Sequence, residues 1–296
     1  MRTLQCTVPA AFDSRPLKHL LRGELGISST LLKTLKWREG AILLNGASVH
    51  VNAVVRTGDT VTVVLSERAP RETDVAPLDI PLAIVYEDED LLVIDKPAGM
   101  IVHGDGTGER TLTDYASDLL LAMGDGFAAN DMQPLNRLDR DTTGVVLFSL
   151  DKQTQPAFDQ MVIDHAFEKH YLALAEGKID WNEKLIDKPI ARDRHDSRKM
   201  RVGASGKPSQ TRVKVLKRLK SRRGLPTRSY IDVELLTGRK HQIRVHLASE
   251  HHPLVGDDLY GTPRPCGLML HAHSVSFTHP VAGEPIHIEA PCPWEP

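Results

Sequence analysis

Cysteine is scarce in this chain of 296 residues: Cys6, Cys266 and Cys292 are the whole complement, and no two are spaced as C-x-x-C. A zinc ribbon and a disulfide-stapled scaffold are therefore excluded. No run approaches the roughly 18 apolar residues that a membrane-spanning helix needs. The opening Met1-Arg2-Thr3-Leu4-Gln5-Cys6 has no apolar signal core. The expectation is a cytoplasmic protein with reduced thiols and no membrane partner. No G-x-S-x-G elbow occurs, so a serine hydrolase of that type has no support. Gly104-Asp105-Gly106-Thr107-Gly108 is rich in glycine but has neither G-x-G-x-x-G spacing nor a Lys-Ser/Thr end, so it reads as a loop and not as a nucleotide fingerprint.

What is there is ordinary globular material, 41% hydrophobic and 26% charged, long enough for two domains. The net charge of −2 conceals a division along the chain. Residues 1–68 carry +4, residues 69–165 carry −13, residues 166–250 carry +11 and residues 251–296 carry −4. Two basic blocks flank an acidic one. Basic blocks are the electrostatic footprint of a nucleic-acid partner, although opposite blocks can also neutralise each other within a fold.

Residues 1–68 read as a small module. A helix is expected from Pro16, with Leu17, Leu20 and Leu21 on one face, and a second from Ser29 to Trp37 capped by Ser28 or Ser29. Asn45-Gly46 is a hairpin turn between strand-like runs, and Gly58-Asp59 turns into a further strand. Residues 69–82 hold Pro70, Pro77 and Pro81 among charges and read as a linker. The second unit is expected over 83–296. Leu91 to Ile94, Val145 to Phe148, Tyr171 to Leu174, Val213 to Val215 and Tyr230 to Leu236 suit strands, whereas Thr111 caps a helix to about Leu121 and 154–165 suits another. Ile243, Val245 and Leu247 sit among charges in a run that period leaves open between strand and helix. Helices and strands mix without strict alternation, which favours an α+β fold over a doubly wound sheet.

Three segments can carry chemistry. Asn136-Arg137-Leu138-Asp139-Arg140-Asp141-Thr142-Thr143-Gly144 crowds carboxylates and guanidiniums into a turn that opens a strand. It suits either a surface ion network or a positioned carboxylate acting as nucleophile at Asp139. Thr237-Gly238-Arg239-Lys240-His241-Gln242-Ile243-Arg244 gathers cations beside Gln242; His241 and His246 are five apart and do not share a helical face, which argues against a metal site. In Phe167-Glu168-Lys169-His170-Tyr171, Lys169 and Tyr171 share one face of a strand, and the tyrosine hydroxyl suits either proton transfer or a place in the core. The run Arg212, Lys214, Lys217, Arg218, Lys220, Arg222 and Arg223 suits either RNA phosphates or a solvated hairpin.

In order, Asp95-Lys96-Pro97-Ala98-Gly99 with Val102-His103, Arg137-Leu138-Asp139-Arg140-Asp141-Thr142-Thr143-Gly144, Lys169-His170-Tyr171, Thr237 through Leu247, and Pro253-Leu254-Val255-Gly256-Asp257 with Tyr260-Gly261 resemble the motifs of the RluA/RluD-type RNA pseudouridine synthase family. Leu270-His271-Ala272 and His279-Pro280 fit its closing strands. Residues 1–68 resemble an S4-type RNA-binding domain. Departures are Asn136 where the family most often has His, Thr143 for Ser and Gly104 where Pro is common. The resemblance implies a mixed, largely antiparallel catalytic sheet preceded by a small α/β module. It implies isomerisation of uridine in structured RNA to pseudouridine, ribosomal RNA ahead of transfer RNA, by a monomer with no cofactor and no metal. The alternative is a non-catalytic RNA-binding assembly factor. Asp139 would be the catalytic carboxylate, paired with Arg244. Tyr171 would stack on the base and help remove its C5 proton. Arg137 would fill the space of the extruded base, and Leu138, Thr143, Lys169, Arg239, His241 and Gln242 would face substrate.

Overall fold

The structure, a computed structural model, describes residues 3–27, 32, 35–36, 38–64, 82–104, 106, 108–123, 132–221 and 226–294. The linker reading at 69–82 falls almost wholly outside these residues, as do most of the helix expected over 29–37 and Arg222 and Arg223.

The first unit is a four-stranded antiparallel sheet. Strands β1 (Thr3–Thr7), β2 (Ile42–Leu44), β3 (Ala47–Ser48) and β4 (Thr60–Val64) lie in the order β1-β4-β2-β3. Pro16 stands at the N-cap of helix α1 (Leu17–Gly23), which buries Leu17, Leu20 and Leu21 against Val61 and Val63. Asn45 and Gly46 both have positive φ, 50° and 81°, as a type I′ hairpin turn requires. The Asn45 side chain adds a second function: its Nδ2 donates to Asp59 and its Oδ1 accepts from Thr60 N–H, so one residue ties both turns together.

The second unit is built on one large sheet. Its strands are β5 (Ala83–Glu87), β6 (Leu91–Lys96), β7 (Gln133–Pro134), β8 (Thr143–Ser149), β9 (Glu168–Glu176), β10 (Glu183–Asp187), β13 (Gln210–Leu219), β14 (Arg228–Leu235), β15 (Leu270–Thr278) and β16 (Pro285–Glu289), with β11 (Ile190–Arg192) and β12 (Met200–Val202) forming a separate ribbon. The path is β10-β13-β14-β9-β15-β8-β6-β5, with β16 on β15 and β7 on β8. Among the described residues, only β8 with β15 pairs in parallel. The fold is thus α+β with a largely antiparallel sheet.

Adjacent residues of β6 and β8 enter two different cores. Leu92, Ile94, Val146 and Phe148 join one, while Leu91, Val93, Val145 and Leu147 join the other. A strand covered on both faces reads as an unbroken apolar run, which is why these two were legible. Helices α2 (Leu112–Met123) and α4 (Gln242–Ser249) cover the first face, and α3 (Gln155–Ile163) the second. Thr111 and Asp114 cap α2 reciprocally: Thr111 N–H and Oγ1 donate to the Asp114 carboxylate, and Asp114 N–H donates back.

The run left open at Gln242 is the helix α4. Gln242, Ile243, Arg244, Val245, His246 and Leu247 are all buried, so the helix has no solvent face and no amphipathic period. Among the described residues, Asp88, Asp90 and His279 bring potential ligand atoms within 4.8 Å of one another. His279 Nδ1 accepts from the Val281 and Ala282 N–H groups, which leaves its proton on Nε2, 3.4 Å from Asp88.

Where β8 meets β15, Gly144 has φ +106° and a Cβ there would lie 2.1 Å from the Ala272 carbonyl oxygen. Gly144→Ala is expected to cost about 3 kcal/mol or more, because both dihedral and space forbid the side chain. A shift of the urea midpoint toward lower concentration measures it; an unchanged midpoint would contradict the close packing.

Candidate active site

The loop before β8 is held in place from below. Asn136 uses its side chain as a strand would use its backbone: Nδ2 donates to Val145 O and Oδ1 accepts from Leu147 N–H. Lys96, at the end of β6, is fully buried, and its ammonium donates to the carbonyls of Pro97, Met100 and Arg140, each at 2.8 Å. Burial pulls Lys96 down to about 8, opposed by the charges of Asp141 and Asp139. Three carbonyl acceptors use all three N–H donors, which favours the ammonium form. Arg140, adjacent to Asp139, also clasps Glu109 at 2.6 and 2.8 Å and reaches Gly99 O. The turn is therefore over-determined on both sides of Asp139.

Asp139 meets α4. Arg244 donates through Nε and Nη2 to both oxygens of Asp257, at 2.8 and 2.7 Å, and Nη2 also reaches Asp258 at 3.1 Å. That leaves Nη1 for Asp139 Oδ2 at 3.3 Å. Desolvation lowers the guanidinium pKa, but the bonds and charge of Asp257, then Asp139, outweigh it and the net shift is upward. Burial likewise raises Asp257, and Arg244 overcomes that to give a net lowering. His241 Nε2 stands 3.8 Å from the other Asp139 oxygen. His241 occupies the left-handed region at φ 55°, which turns its ring toward Asp139 one residue before α4 begins.

Arg137, Leu138, Asp139, Thr142, Tyr171, Leu235, Arg239, His241, Gln242, Ile243, Arg244 and Leu270 line one open hollow. Tyr171 on β9 is 7% exposed, and its hydroxyl has no partner among the described residues. Burial, then the Asp139 charge, push its pKa far up. Arg137 is exposed and likewise unpartnered among the described residues.

Several expected contacts fall elsewhere. Thr143 does not line the hollow; its hydroxyl bonds His271 Nδ1 at 2.8 Å, and Thr142 takes the lining position. Gln242 lines the hollow, yet its amide is saturated by protein: Oε1 accepts from Thr237 and Arg239, and Nε2 donates to Gln210 O and Thr211. Lys169 lies outside the lining and is half-buried on β9, its pKa lowered by burial. Arg239 keeps its place and touches Pro208 O through Nε.

The basic run on β13 is divided by strand alternation. Thr211 and Val213 face α4, where Thr211 bonds His246 and Gln242, so Arg212 and Lys214 project from the opposite face of the sheet. Arg212 is bonded to Glu234, and Arg218 is tied to Ile179 O, Trp181 O and Asn182. Lys214, Lys217 and Lys220 are exposed. The residues that sequence reasoning passed over are Lys96, Asn136, Asp257 and Tyr260. All four stand inside the motif segments, but only partner geometry reveals what they hold.

Fold and hollow together define a class: an enzyme-like site with one carboxylate fixed among guanidinium and imidazole groups, on a mainly antiparallel sheet. Comparison with known proteins makes the class particular. Residues 90–249 match the RNA pseudouridylate synthase family. The RNA pseudouridine synthase YhcT of Bacillus subtilis is 36% identical, over 99% of this chain and 94% of its own. Ribosomal large subunit pseudouridine synthase D of Neisseria meningitidis serogroup A is 34% identical, over 97% and 78%. The solved structure of human RNA pseudouridylate synthase domain containing 1 superposes with a TM-score of 0.60 and 28% identity, over 76% of this chain and 88% of that one. The chain belongs to the RNA pseudouridine synthase family, of the RluA/RluD type, and is an enzyme that isomerises uridine in RNA.

Lys96→Met keeps the bulk and removes the donor, leaving three buried carbonyls without it. The expected loss is about 2–4 kcal/mol of stability together with slower turnover. Chemical denaturation and single-turnover kinetics on one preparation measure both; a fully stable variant would show that the loop does not need this clamp.

Proposed function

We propose that the protein converts uridine in large-subunit ribosomal RNA to pseudouridine, with Asp139 as its catalytic carboxylate. The observation that carries the reading is the position of Asp139 on the wall of the hollow, with Arg244 at 3.3 Å and His241 at 3.8 Å on its two oxygens. The N1–C1′ bond of the uridine breaks, the base turns, C5 joins C1′ and the C5 proton leaves. Asp139 assists the cleavage, by attack on the sugar or by elimination, and Arg244 keeps it aimed. A uridine within a helix is out of reach, so the base leaves its stack, at a few kcal/mol, to enter the hollow.

Tyr171 provides the stacking wall. Its phenol is held protonated by burial and by Asp139, so its hydroxyl serves as a donor to the base and not as the resting acceptor of the C5 proton. Arg137, exposed at the rim, enters the space that the extruded base leaves. Leu138, Arg239 and His241 complete the substrate contacts. Residues 1–68 act as an S4-like anchor on RNA, and the enzyme works as a monomer in the cytoplasm. The ribosomal assignment is supported by the relatives of Neisseria meningitidis and Xanthomonas campestris, each named ribosomal large subunit pseudouridine synthase D.

Tritium release from C5-labelled transcripts tests the reading, with 23S-type ribosomal RNA beside bulk transfer RNA. Release is expected from the ribosomal transcript. Asp139→Asn is expected to lower the rate by about 10²–10⁴-fold or more while RNA affinity stays within a few-fold. Retained turnover in the variant would overturn the Asp139 assignment, and release from transfer RNA alone would overturn the ribosomal one.

A further inference from the structure

A basic arm adjoins the hollow, apart from the run on β13. Residues 190–207 form the β11–β12 ribbon and its flanks, with six basic residues against Asp193 and Asp196. Arg192, Arg194 and Lys207 are exposed, and their side chains have no hydrogen-bond or ion-pair partner among the described residues. Such a row of free cations suits phosphates. The arm is compact: Gly206 packs so closely on Ile190 that a Cβ there would lie 2.5 Å from its backbone.

The arm is fastened at two points, to α4 with its C-cap and to the loop that carries Asp257. At its base, His246 bonds the Lys188 carbonyl at 2.9 Å, and the Lys188 ammonium meets Glu250 at 2.6 Å. On its far strand, Met200 N–H donates to Tyr260 Oη at 2.7 Å. Tyr260 Oη also lies 2.9 Å from His241 Nδ1. With one hydroxyl lone pair taken by Met200, and His241 Nε2 facing a carboxylate, the tyrosine proton belongs toward Nδ1 and the imidazole proton toward Asp139. The Tyr260 ring meets His241 edge-on at 5.7 Å and lies 5.3 Å from the Arg244 guanidinium. Its backbone N–H donates to Asp257 at 2.9 Å. One residue thus touches the arm, both groups that reach Asp139, and the carboxylate that aims Arg244.

We propose that Tyr260 is a positioning residue that couples the basic arm to Asp139, so that RNA phosphates seated on 190–207 set His241 and Arg244 against the carboxylate. The proposal rests on the reading of Asp139 as the centre of an RNA-modifying site. It makes turnover depend on how RNA lies on the arm, beyond the affinity that the arm supplies. The groups facing His241 are Asp139, Arg244, Lys240, Asp257 and Tyr260. Burial holds its pKa below the ordinary value, Asp139 opposes, and Arg244 and Lys240 add to the lowering. The Tyr260 hydroxyl supports the same neutral ring.

A double-mutant cycle tests the coupling. Its corners are the full chain, Tyr260→Phe, the triple variant Arg192→Gln/Arg194→Gln/Lys207→Gln, and the combination. Tyr260→Phe keeps the ring and the backbone bond to Asp257. It is expected to lower kcat on 23S-type transcript by about 10- to 100-fold with RNA affinity within two-fold. The arm variant is expected to bind more weakly, with a shallower salt dependence, and to lose kcat even at saturating RNA. The combination is expected to lose no more kcat than Tyr260→Phe alone. Losses that multiply, or an arm variant with full kcat at saturation, would overturn the proposal. Ring ¹⁵N shifts of His241 in the free protein give a second readout. Tyr260→Phe is expected to mix its tautomers and move its titration to higher pH, whereas unchanged shifts would overturn the proposal. The shifts need no RNA, so a full chain without turnover on any transcript would overturn the functional reading and leave the Tyr260 contact separately decided.

Discussion

A guanidinium buried to this depth must be paired, and the site is organised around how Arg244 meets that demand. Removing an ion from water costs several kcal/mol even after relaxation, so an unpaired Arg244 inside α4 would be a serious liability. Asp257, fully buried itself, answers with a two-point grip. The grip uses Nε and Nη2 and leaves one edge of the fork, Nη1, turned toward Asp139. The direction of the Asp139 contact is therefore decided by Asp257. The tight loop that carries Asp257 follows from the same need: Gly256 has φ +77°, and a Cβ there would lie 1.8 Å from the Gly267 carbonyl. Asp257 Oδ1 also accepts the Leu259 and Tyr260 N–H groups, so loop, ion pair and ring are one unit.

Asp139 is brought to this unit by independent means. Lys96 and Asn136 pin its loop to β6 and β8, and α4 is held separately, on strands β12 and β13. The two halves meet only when the sheet is complete through β9 and β15. Contacts of such long sequence separation make the site a product of the whole fold. Its polar groups face inward over the same apolar core that holds Ile243, Leu247 and Tyr171, where the weak dielectric strengthens each charge contact.

How much of this was legible follows from the physics of each element. Strands β6 and β8 could be read because burial on both faces makes an unbroken apolar run. The Asn45-Gly46 turn could be read because few residues tolerate two successive positive φ values. Thr111 could be read as a cap because it has one local partner three residues on. Helix α4 could not, because complete burial erases the period that marks a helix. The faces of the basic run on β13 were not legible for a related reason: charge was counted along the chain, whereas a strand sends alternate residues to opposite faces. Its Arg212 and Arg218 are engaged by protein, while Lys214, Lys217 and Lys220 stay exposed.

The sequence by itself determined the family, the α+β class and the short list of groups able to do chemistry, because those depend on residue identity and order. It brought Asp139, Tyr171 and Arg244 forward through motifs of fixed spacing. Tertiary structure alone decided which of the neighbouring polar groups face the hollow. Thr142 and not Thr143 lines it, Gln242 is consumed by protein, and Asp257 governs the aim of Arg244. Adjacent residues carry the same chemistry along a chain. They differ in which buried partner each must satisfy, and that partner exists only once distant segments have packed together.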